Sequence, residues 1–551
     1  MTVTLPGRVA SLACQRPRKP AVISLDSAGV RVWDWSRLWQ ESRRIAALLA
    51  ASGVRRGEAV AYQLANRAEF VAITVGTLLA GGVCCPLMPI FRERELCYTL
   101  DRARARMLFV MDRHHGRDPV AELSAIEPQV PSLESLLVIA ADGSDGGGCA
   151  LAQSGRVRHA WLQAALGDAG RQAPDIPAAG EPAVLAQLLF TSGTTGEPKG
   201  VLHRADVLTL AARMHAHHRG LGAADRIYVP SPLAHQTGFL YGMWVALLLG
   251  APQILQESWE PRRALAALEA WEGTFIQAAT PFLADLVQAV EEGEPPPRRL
   301  RLFVATGTTV PRALAARARG VLQTCVCGAF GTTEGCLATL GSPADPAEKA
   351  CGTDGRPLAG IQVRTCDESG RTLPAGTEGQ LQTRSPTMFE SYLDRPDWTT
   401  AAYTDDGWYR TGDLAVIDAD GHLHLTGRLK DVVNRGGEKI PVVEIEQLLH
   451  EHEAVREVAI VGVPDARLGE RACAFIVMRR MRTDPARAAG QAAALLDLRA
   501  VQAFLDRRRV AKPYWPERVE VVDELPKTPS GKIRKYVLRE RAMASSPGAG
   551  S

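Results

Sequence analysis

Apolar runs alternate with helically spaced apolar positions over most of the first 425 residues. Trp39, Ser42, Ile45, Ala46 and Leu49 fall on one face of a 3.6-residue period, and Gly53 stands where such a helix would stop. The run Ala59–Leu64 reads as a strand. Phe70–Leu79 reads as a helix, and Gly81-Gly82 breaks it. Residues 183–190 form a continuous apolar run with the character of a buried strand. Leu240–Pro252 is apolar but too short to cross a bilayer, so it reads as a buried helix. This alternation predicts an α/β protein built of layered sheets and helices. The glycine-rich segment 142–155 reads as a surface loop.

Near residue 430 the texture changes. Residues 421–440 are rich in Gly, Arg and Lys, and a compact α+β pattern follows them. It comprises a helix Val443–His450, strands Val455–Val461 and Cys473–Val477, and a helix around Leu498–Asp506. Residues 481–494, rich in Ala and Arg, read as a variable insertion, and Ser545–Ser551 as a disordered end. The expected organisation is a large, multi-subdomain N-terminal domain over 1–429 and a small mobile α+β lid over 430–551.

Composition narrows the class without naming it. A chain of 551 residues is too long for one ordinary core, which agrees with two domains. Its 46% apolar and 23% charged residues are those of a soluble globular protein. A formal charge of +3 gives no reason to invoke nucleic acid. Eleven cysteines show no paired zinc spacing; Cys84 and Cys85 are adjacent, and Cys325 and Cys327 are one residue apart. No apolar signal segment opens the sequence and no run of about 18 apolar residues occurs, so free thiols in a reducing cytoplasm and no transmembrane segment are expected.

The strongest chemical signal is Thr191-Ser192-Gly193-Thr194-Thr195-Gly196-Glu197-Pro198-Lys199-Gly200, directly after the 183–190 strand. Glycines let backbone N–H groups approach an anion, Ser192, Thr194 and Thr195 add hydroxyls, and Lys199 adds a positive charge. The combination suits a polyphosphate, although the Gly-Lys-Ser/Thr ending of a Walker A loop is absent. A merely flexible loop is the plain alternative. Downstream, Phe330-Gly331-Thr332-Thr333-Glu334-Gly335 offers a carboxylate beside hydroxyls, a donor set for magnesium bridging phosphates; a turn after a strand is its alternative. Asp413, in Tyr409-Arg410-Thr411-Gly412-Asp413, can accept both hydroxyls of a ribose diol. Arg428 offers several donors to ribose or phosphate oxygens.

These stations, in this order, resemble the acyl-adenylate-forming superfamily of acyl-CoA synthetases, luciferases and peptide-synthetase adenylation domains. The likeness runs from the Gly81-Gly82 region to Glu540. It implies that Thr333 meets the α-phosphate, that Glu334 holds Mg2+, and that Gly328, Ala329 and Phe330 line the adenine beside Gly331 and Thr332. The family usually carries Tyr where Phe330 stands, which puts one hydrogen bond in question while ring stacking survives. Asp413 and Arg428 take the ribose, and Lys430 is the hinge. Lys532, in Pro526-Lys527-Thr528-Pro529-Ser530-Gly531-Lys532, matches the adenylation lysine, with Lys527 and Lys535 as solvated neighbours. Gly436, Gly437 and Glu438 correspond to the pantetheine channel. His235 gates the acid carboxylate, and Gln236, Gly238, Thr306, Gly307 and Thr308 fall on the acid pocket. A packing histidine is the alternative for His235, while His215, His217 and His218 read as helix surface or capping.

Three segments narrow the likeness: Ser231–Gly242, Ala279–Asp285 and Tyr514–Arg518 look like the cyclohexanecarboxylate–CoA ligase branch, which also holds short- and medium-chain acyl-CoA synthetases. The implied reaction joins a small or medium aliphatic, alicyclic or aromatic acid to coenzyme A, consuming ATP and releasing AMP and pyrophosphate. Two other readings remain open. One is a ligase that loads a carrier-protein phosphopantetheine, with Arg507, Arg508, Arg509 and Lys512 as a basic docking face. The other is a nucleotide-binding regulator that has lost catalysis.

Overall fold

A computed structural model describes residues 4–26, 29–144, 155–169, 184–191, 198–307, 311–435, 438–465, 467–479, 496–528 and 532–545. The chain forms layered α/β sheets with a smaller α+β unit at its C-terminal end, as the hydrophobic pattern implies. One nine-stranded sheet has at its centre the parallel strands Pro20–Asp26, Ile227–Val229, Gln253–Gln256, Phe275–Ala279, Leu302–Thr306 and Cys325–Thr332. Phe275–Ala279 and Leu302–Thr306 are buried at every position, which is the pattern of a parallel sheet covered on both faces. A second sheet of eight strands carries Leu185–Thr191 paired antiparallel with Lys199–Arg204.

The helix expected near Trp39 spans Trp35–Ala51 and is capped by Asp34, whose side chain accepts the Arg37 N–H. Leu38, Ser42, Ile45 and Leu49 face the core, while Trp39 is half-buried. Its neighbour Ala68–Leu79 is buried all round. The two helices approach so closely that a Cβ on Gly76 would lie 2.7 Å from the Ser42 carbonyl oxygen. The apolar stretch after residue 236 is helical, a π-helix Thr237–Trp244 continued by Val245–Leu249, and its first eight residues are all buried.

A four-stranded antiparallel sheet follows: Gln362–Cys366, Gly379–Arg384, Tyr409–Ile417 and Leu423–Arg428. Beyond it, Val455–Asp465 and Gly469–Met478 make a long hairpin packed by helices Val442–His450, Leu498–Arg507 and Lys535–Ala544. Val433, Ile445, Leu449, Ile460, Ile476 and Leu505 form one core of this unit, and Val461, Phe475 and Leu538 another. The strands run longer than the sequence pattern suggests because Asp465 and Gly469 still pair across the turn. Among the described residues no helix is long and apolar enough to cross a membrane. The 481–494 insertion, most of the glycine-rich loop and all but the first residue of the Ser545–Ser551 end lie outside the described residues.

Candidate active site

Strand order determines where chemistry gathers. The parallel strands ending at Val229, Ala279 and Thr306, and the strand whose parallel pairing stops at Gly328, deliver their following residues to one edge of the nine-stranded sheet, where open α/β sheets bind ligands. Ser231–Gly238, Gly307 and Phe330–Glu334 follow these points, and Thr306 is itself a strand end.

Thr191 and Lys199 face each other across the antiparallel pair, with the Thr191 hydroxyl 3.5 Å from the Lys199 carbonyl. Ser192, Gly193, Thr194, Thr195 and Gly196 lie outside the described residues. The Lys199 ammonium sits over two rings, 4.7 Å from the centre of Tyr392 and 5.3 Å from that of Trp398. Tyr392 donates its hydroxyl to Glu334 Oε1 at 2.8 Å. One aromatic ring thus separates the loop cation from the candidate metal ligand. Burial, and then the adjacent Glu334 carboxylate, push the Tyr392 phenol pKa well up, so it stays a donor.

Gly328, Ala329 and Phe330 lie on the strand Cys325–Thr332, with Ala329 and Phe330 buried. A Cβ on Gly328 would meet the Thr353 carbonyl at 2.3 Å, so the backbone there must be bare. The register shifts between Phe330 and Gly331 as the strand turns to pair with Cys336–Leu340. Thr332 Oγ1 accepts the Gly335 N–H at 2.9 Å, closing the turn that carries Glu334. His203, fully buried, lies with Nε2 2.7 Å from the Thr333 carbonyl. Burial lowers its pKa to about 4, so the ring is neutral, and Nε2 must carry the proton it gives to that oxygen.

Asp413 and Arg428 are cross-strand partners, joined by Arg428 Nε donating to Asp413 Oδ1 at 3.0 Å. Burial raises the Asp413 pKa, against the pull of Arg428 and Lys532. A second buried carboxyl, Asp354, accepts the Leu425 N–H at 3.0 Å; burial and the Asp413 charge push its pKa up to about 6. Lys532 comes from the C-terminal unit on a turn fixed by its own N–H to Thr528 Oγ1 at 3.0 Å. Its charge acts on both Asp413 and His235. Burial, and then Lys532, lower the His235 pKa to about 4, and its Nδ1 accepts the Thr237 N–H at 3.3 Å.

Gln236 is buried, with Nε2 3.8 Å from Cys336 Sγ and no partner for Oε1 among the described residues. Gly238 is needed because a Cβ would lie 2.3 Å from the Pro232 carbonyl. Thr306 is buried and Gly307 has φ of +87°, while Thr308 lies outside the described residues. Lys430 falls in a single 3-10 turn, Leu429–Asp431, after the last strand of the four-stranded sheet. Gly436 and Gly437 lie outside the described residues, and Glu438 pairs through its backbone with Arg435.

Some expectations need correction. His215 is not on a helix surface. It is fully buried, 5.0 Å from the Tyr241 ring and 5.7 Å from Phe275, and only His217 is exposed. Lys527 and Lys535 are not simply solvated, since they pair with Glu457 at 2.5 Å and Glu446 at 2.7 Å. The basic run near residue 508 is partly neutralised, because Arg508 pairs with Glu451 at 2.6 Å. Sequence reasoning missed His203, Asp354 and Tyr392. Only Asp354, an acid beside Gly355 in a turn, left a local trace.

Comparison with known proteins accords with this arrangement. The AMP-binding enzyme family matches residues 10–393, and the AMP-binding enzyme C-terminal domain matches 444–532. The medium-chain fatty-acid–CoA ligase of Escherichia coli strain K12 is 33% identical over 96% of this chain and 88% of its own length. A salicylyl-CoA synthase / salicylate adenylyltransferase of a Streptomyces species is 34% identical over 90% of this chain and 86% of its own. The crystal structure of the anthranilate CoA ligase AuaEII with anthranoyl-AMP superposes with a TM-score of 0.83 at 25% identity, covering 98% of this chain and 97% of that one. Fold and sequence agree: the chain belongs to the AMP-binding enzyme family.

Proposed function

We propose that the protein is an ATP-dependent acid–CoA ligase working through an acyl-adenylate. The observation that carries this reading is that the charge of Lys532, from the C-terminal unit, reaches both Asp413 and His235. A carboxylate oxygen of the acid attacks the α-phosphorus of ATP, and the bond to pyrophosphate breaks. Charge grows on the α-phosphoryl oxygens, and Lys532 with the hydroxyls of Thr195 and Thr333 neutralises and orients them. Asp413 and Arg428 hold the ribose, and Phe330 flanks the adenine. His235 is neutral at physiological pH, which leaves Lys532 to attract the carboxylate.

Magnesium fits the donor set: Glu334 spends one oxygen on the Tyr392 hydroxyl and keeps another for a hard cation, and Mg2+ commonly takes only one or two protein carboxylates. When bound it would neutralise the phosphate oxygens. In the second half-reaction the CoA sulfur attacks the acyl carbon and AMP leaves. The proposed division is a unit ending near residue 429 and a lid over 430–551 that turns about Lys430, replacing Lys532 with the Gly436–Glu438 segment. The acid is small or medium sized, in a pocket bounded by His235, Gln236, Gly238, Thr306, Gly307 and Thr308.

The test is pyrophosphate release across a panel of aliphatic, alicyclic and aromatic acids, with and without CoA, and product identification by mass spectrometry. The reading requires an acyl-CoA from at least one acid. An acyl-adenylate that persists beside excess CoA would redirect it to a carrier-protein acceptor.

A further inference from the structure

The strand that delivers Gly328–Glu334 begins with a feature the ligase chemistry does not use. Cys325 and Cys327 sit two residues apart on it, on one face, with their sulfurs 3.7 Å apart. Cys327 is buried and Cys325 half-buried. The guanidinium of Arg219 is buried beside them, and its three nitrogens find no oxygen or nitrogen acceptor among the described residues. Cys327, whose sulfur is also the one side-chain group near enough to interact as an acceptor, then Cys325 and last Asp345 are the groups whose charge bears on it. A second guanidinium, Arg319, lies 3.9 Å from the sulfur of Cys351 on the neighbouring helix and also acts on Cys325. A buried guanidinium without a counter-ion costs several kcal/mol. A shared thiolate on this pair is the anion within reach.

We propose that Cys325 and Cys327 form a dithiol site that reacts with hydroperoxides, closes to a disulfide within the strand, and thereby weakens nucleotide binding. The hydrogen bond from Cys327, and then Arg319 and Arg219, hold the Cys325 thiol below its ordinary range against partial burial, while Cys327 is raised and keeps its proton. The Cys325 thiolate attacks the terminal oxygen of the peroxide; the O–O bond breaks, leaving Cys325 as a sulfenic acid, and the alkoxide or hydroxide takes a proton from water. The Cys327 sulfur then attacks Cys325, the S–O bond breaks, and the hydroxyl departs with the Cys327 proton as water. Two electrons pass from the two thiols to one peroxide.

Closure has a mechanical consequence. Alternate Cα atoms of a strand lie roughly 6.7 Å apart, near the upper limit for a disulfide, whose common spacing is about 5.5–6 Å. The strand must shorten where Cys325, Val326, Cys327 and Gly328 pair with Leu302, Phe303, Val304 and Ala305, immediately before the adenine wall. Oxidation also removes the anion facing Arg219, which favours the reduced pair and makes the change reversible by thiols. The effect on ATP rests on the nucleotide reading given above; the thiol chemistry does not.

The experiment treats the whole protein with a modest excess of hydrogen peroxide. It then blocks free thiols and maps peptides without reductant, cutting at Glu334 to separate Cys336. The expected result is loss of two hydrogens within the peptide holding Cys325 and Cys327, reversed by dithiothreitol. Cys327→Ser should stop at a sulfenic acid on Cys325 that a dimedone probe captures. In the untreated protein, alkylation of Cys325 should slow less than ten-fold from pH 8 to pH 6, where an ordinary thiol slows about eighty-fold. Separately blocked Cys325 and Cys327 after peroxide, or ordinary eighty-fold slowing, overturns the site. ATP affinity by calorimetry should fall at least three-fold on oxidation; a disulfide with unchanged affinity overturns the control. Absence of ATP binding in both redox states would instead remove the nucleotide reading.

Discussion

Replacing Tyr392 with Phe removes one oxygen and little else. The ring remains to carry the Lys199 ammonium and to pack against Phe389, whose ring centre lies 4.7 Å away. What disappears is the 2.8 Å hydrogen bond to Glu334 Oε1. A hydrogen bond to an ionised group contributes about 1.5–3 kcal/mol. Glu334 is partly open to solvent, so water recovers a share, and the lower half of that range applies. A loss of about 1.5–2 kcal/mol in transition-state stabilisation corresponds to a kcat/KM for ATP roughly 10–30-fold lower. The Glu334 carboxylate also becomes free to rotate away from the phosphates, so the Mg2+ concentration giving half-maximal rate should rise by a similar factor. Pyrophosphate release measured over a grid of ATP and Mg2+ reads both quantities, and a melting temperature within a few degrees of the parent keeps the comparison valid. Equal kcat/KM for the two proteins at every Mg2+ concentration would refute the claim that this hydroxyl aims the metal ligand.

Lys532→Ala should slow acyl-adenylate formation about 100–1,000-fold yet leave thioester formation from supplied acyl-adenylate near the parent rate; equal loss in both half-reactions contradicts the proposed lid exchange. Arg428→Gln removes the cation hydrogen-bonded to buried Asp413 and leaves only the Lys532 charge acting on it, which should weaken ATP binding by about 1–2 kcal/mol after allowing for the partial exposure of Arg428, read by calorimetry. Gly238→Ala drives a Cβ against backbone at Pro232 and should destabilise the fold by about 1–3 kcal/mol, seen as a lower unfolding midpoint. His203, His215 and His235 have folded pKa values lowered to about 4, 3 and 4, chiefly by burial. The unfolded chain takes up these protons near pH 6.5, so stability is whole above about pH 6.5 and declines as pH falls toward 4. Urea unfolding at stepped pH checks this, and a midpoint unchanged between pH 7 and pH 5 contradicts it.

Local patterns disclosed much of the fold and most of the residues proposed for the site. The hydroxyl-rich loop could be placed on a strand end because the run before it is continuously apolar. Asp413 and Arg428 could each be singled out as candidate nucleotide ligands, but their pairing depends on antiparallel register across 15 residues, which composition does not encode. His203, Asp354 and Tyr392 act through partners 130, 71 and 58 residues away, and of the three only Asp354 stands beside glycines in the sequence. The misreading of His215 has a similar origin. Three histidines within four residues look solvated, and only the packing of Tyr241 and Phe275 over one of them reveals that this helix buries the face carrying it.

The Lys532 charge is one reason the His235 imidazole is so reluctant to take a proton. If the turn bearing that lysine withdraws, the ring should become more basic although nothing touching it has changed its covalent state. The histidine is then a native gauge of where the C-terminal unit stands. A labelled imidazole followed by NMR through a proton titration would register each half of the catalytic cycle without an attached dye.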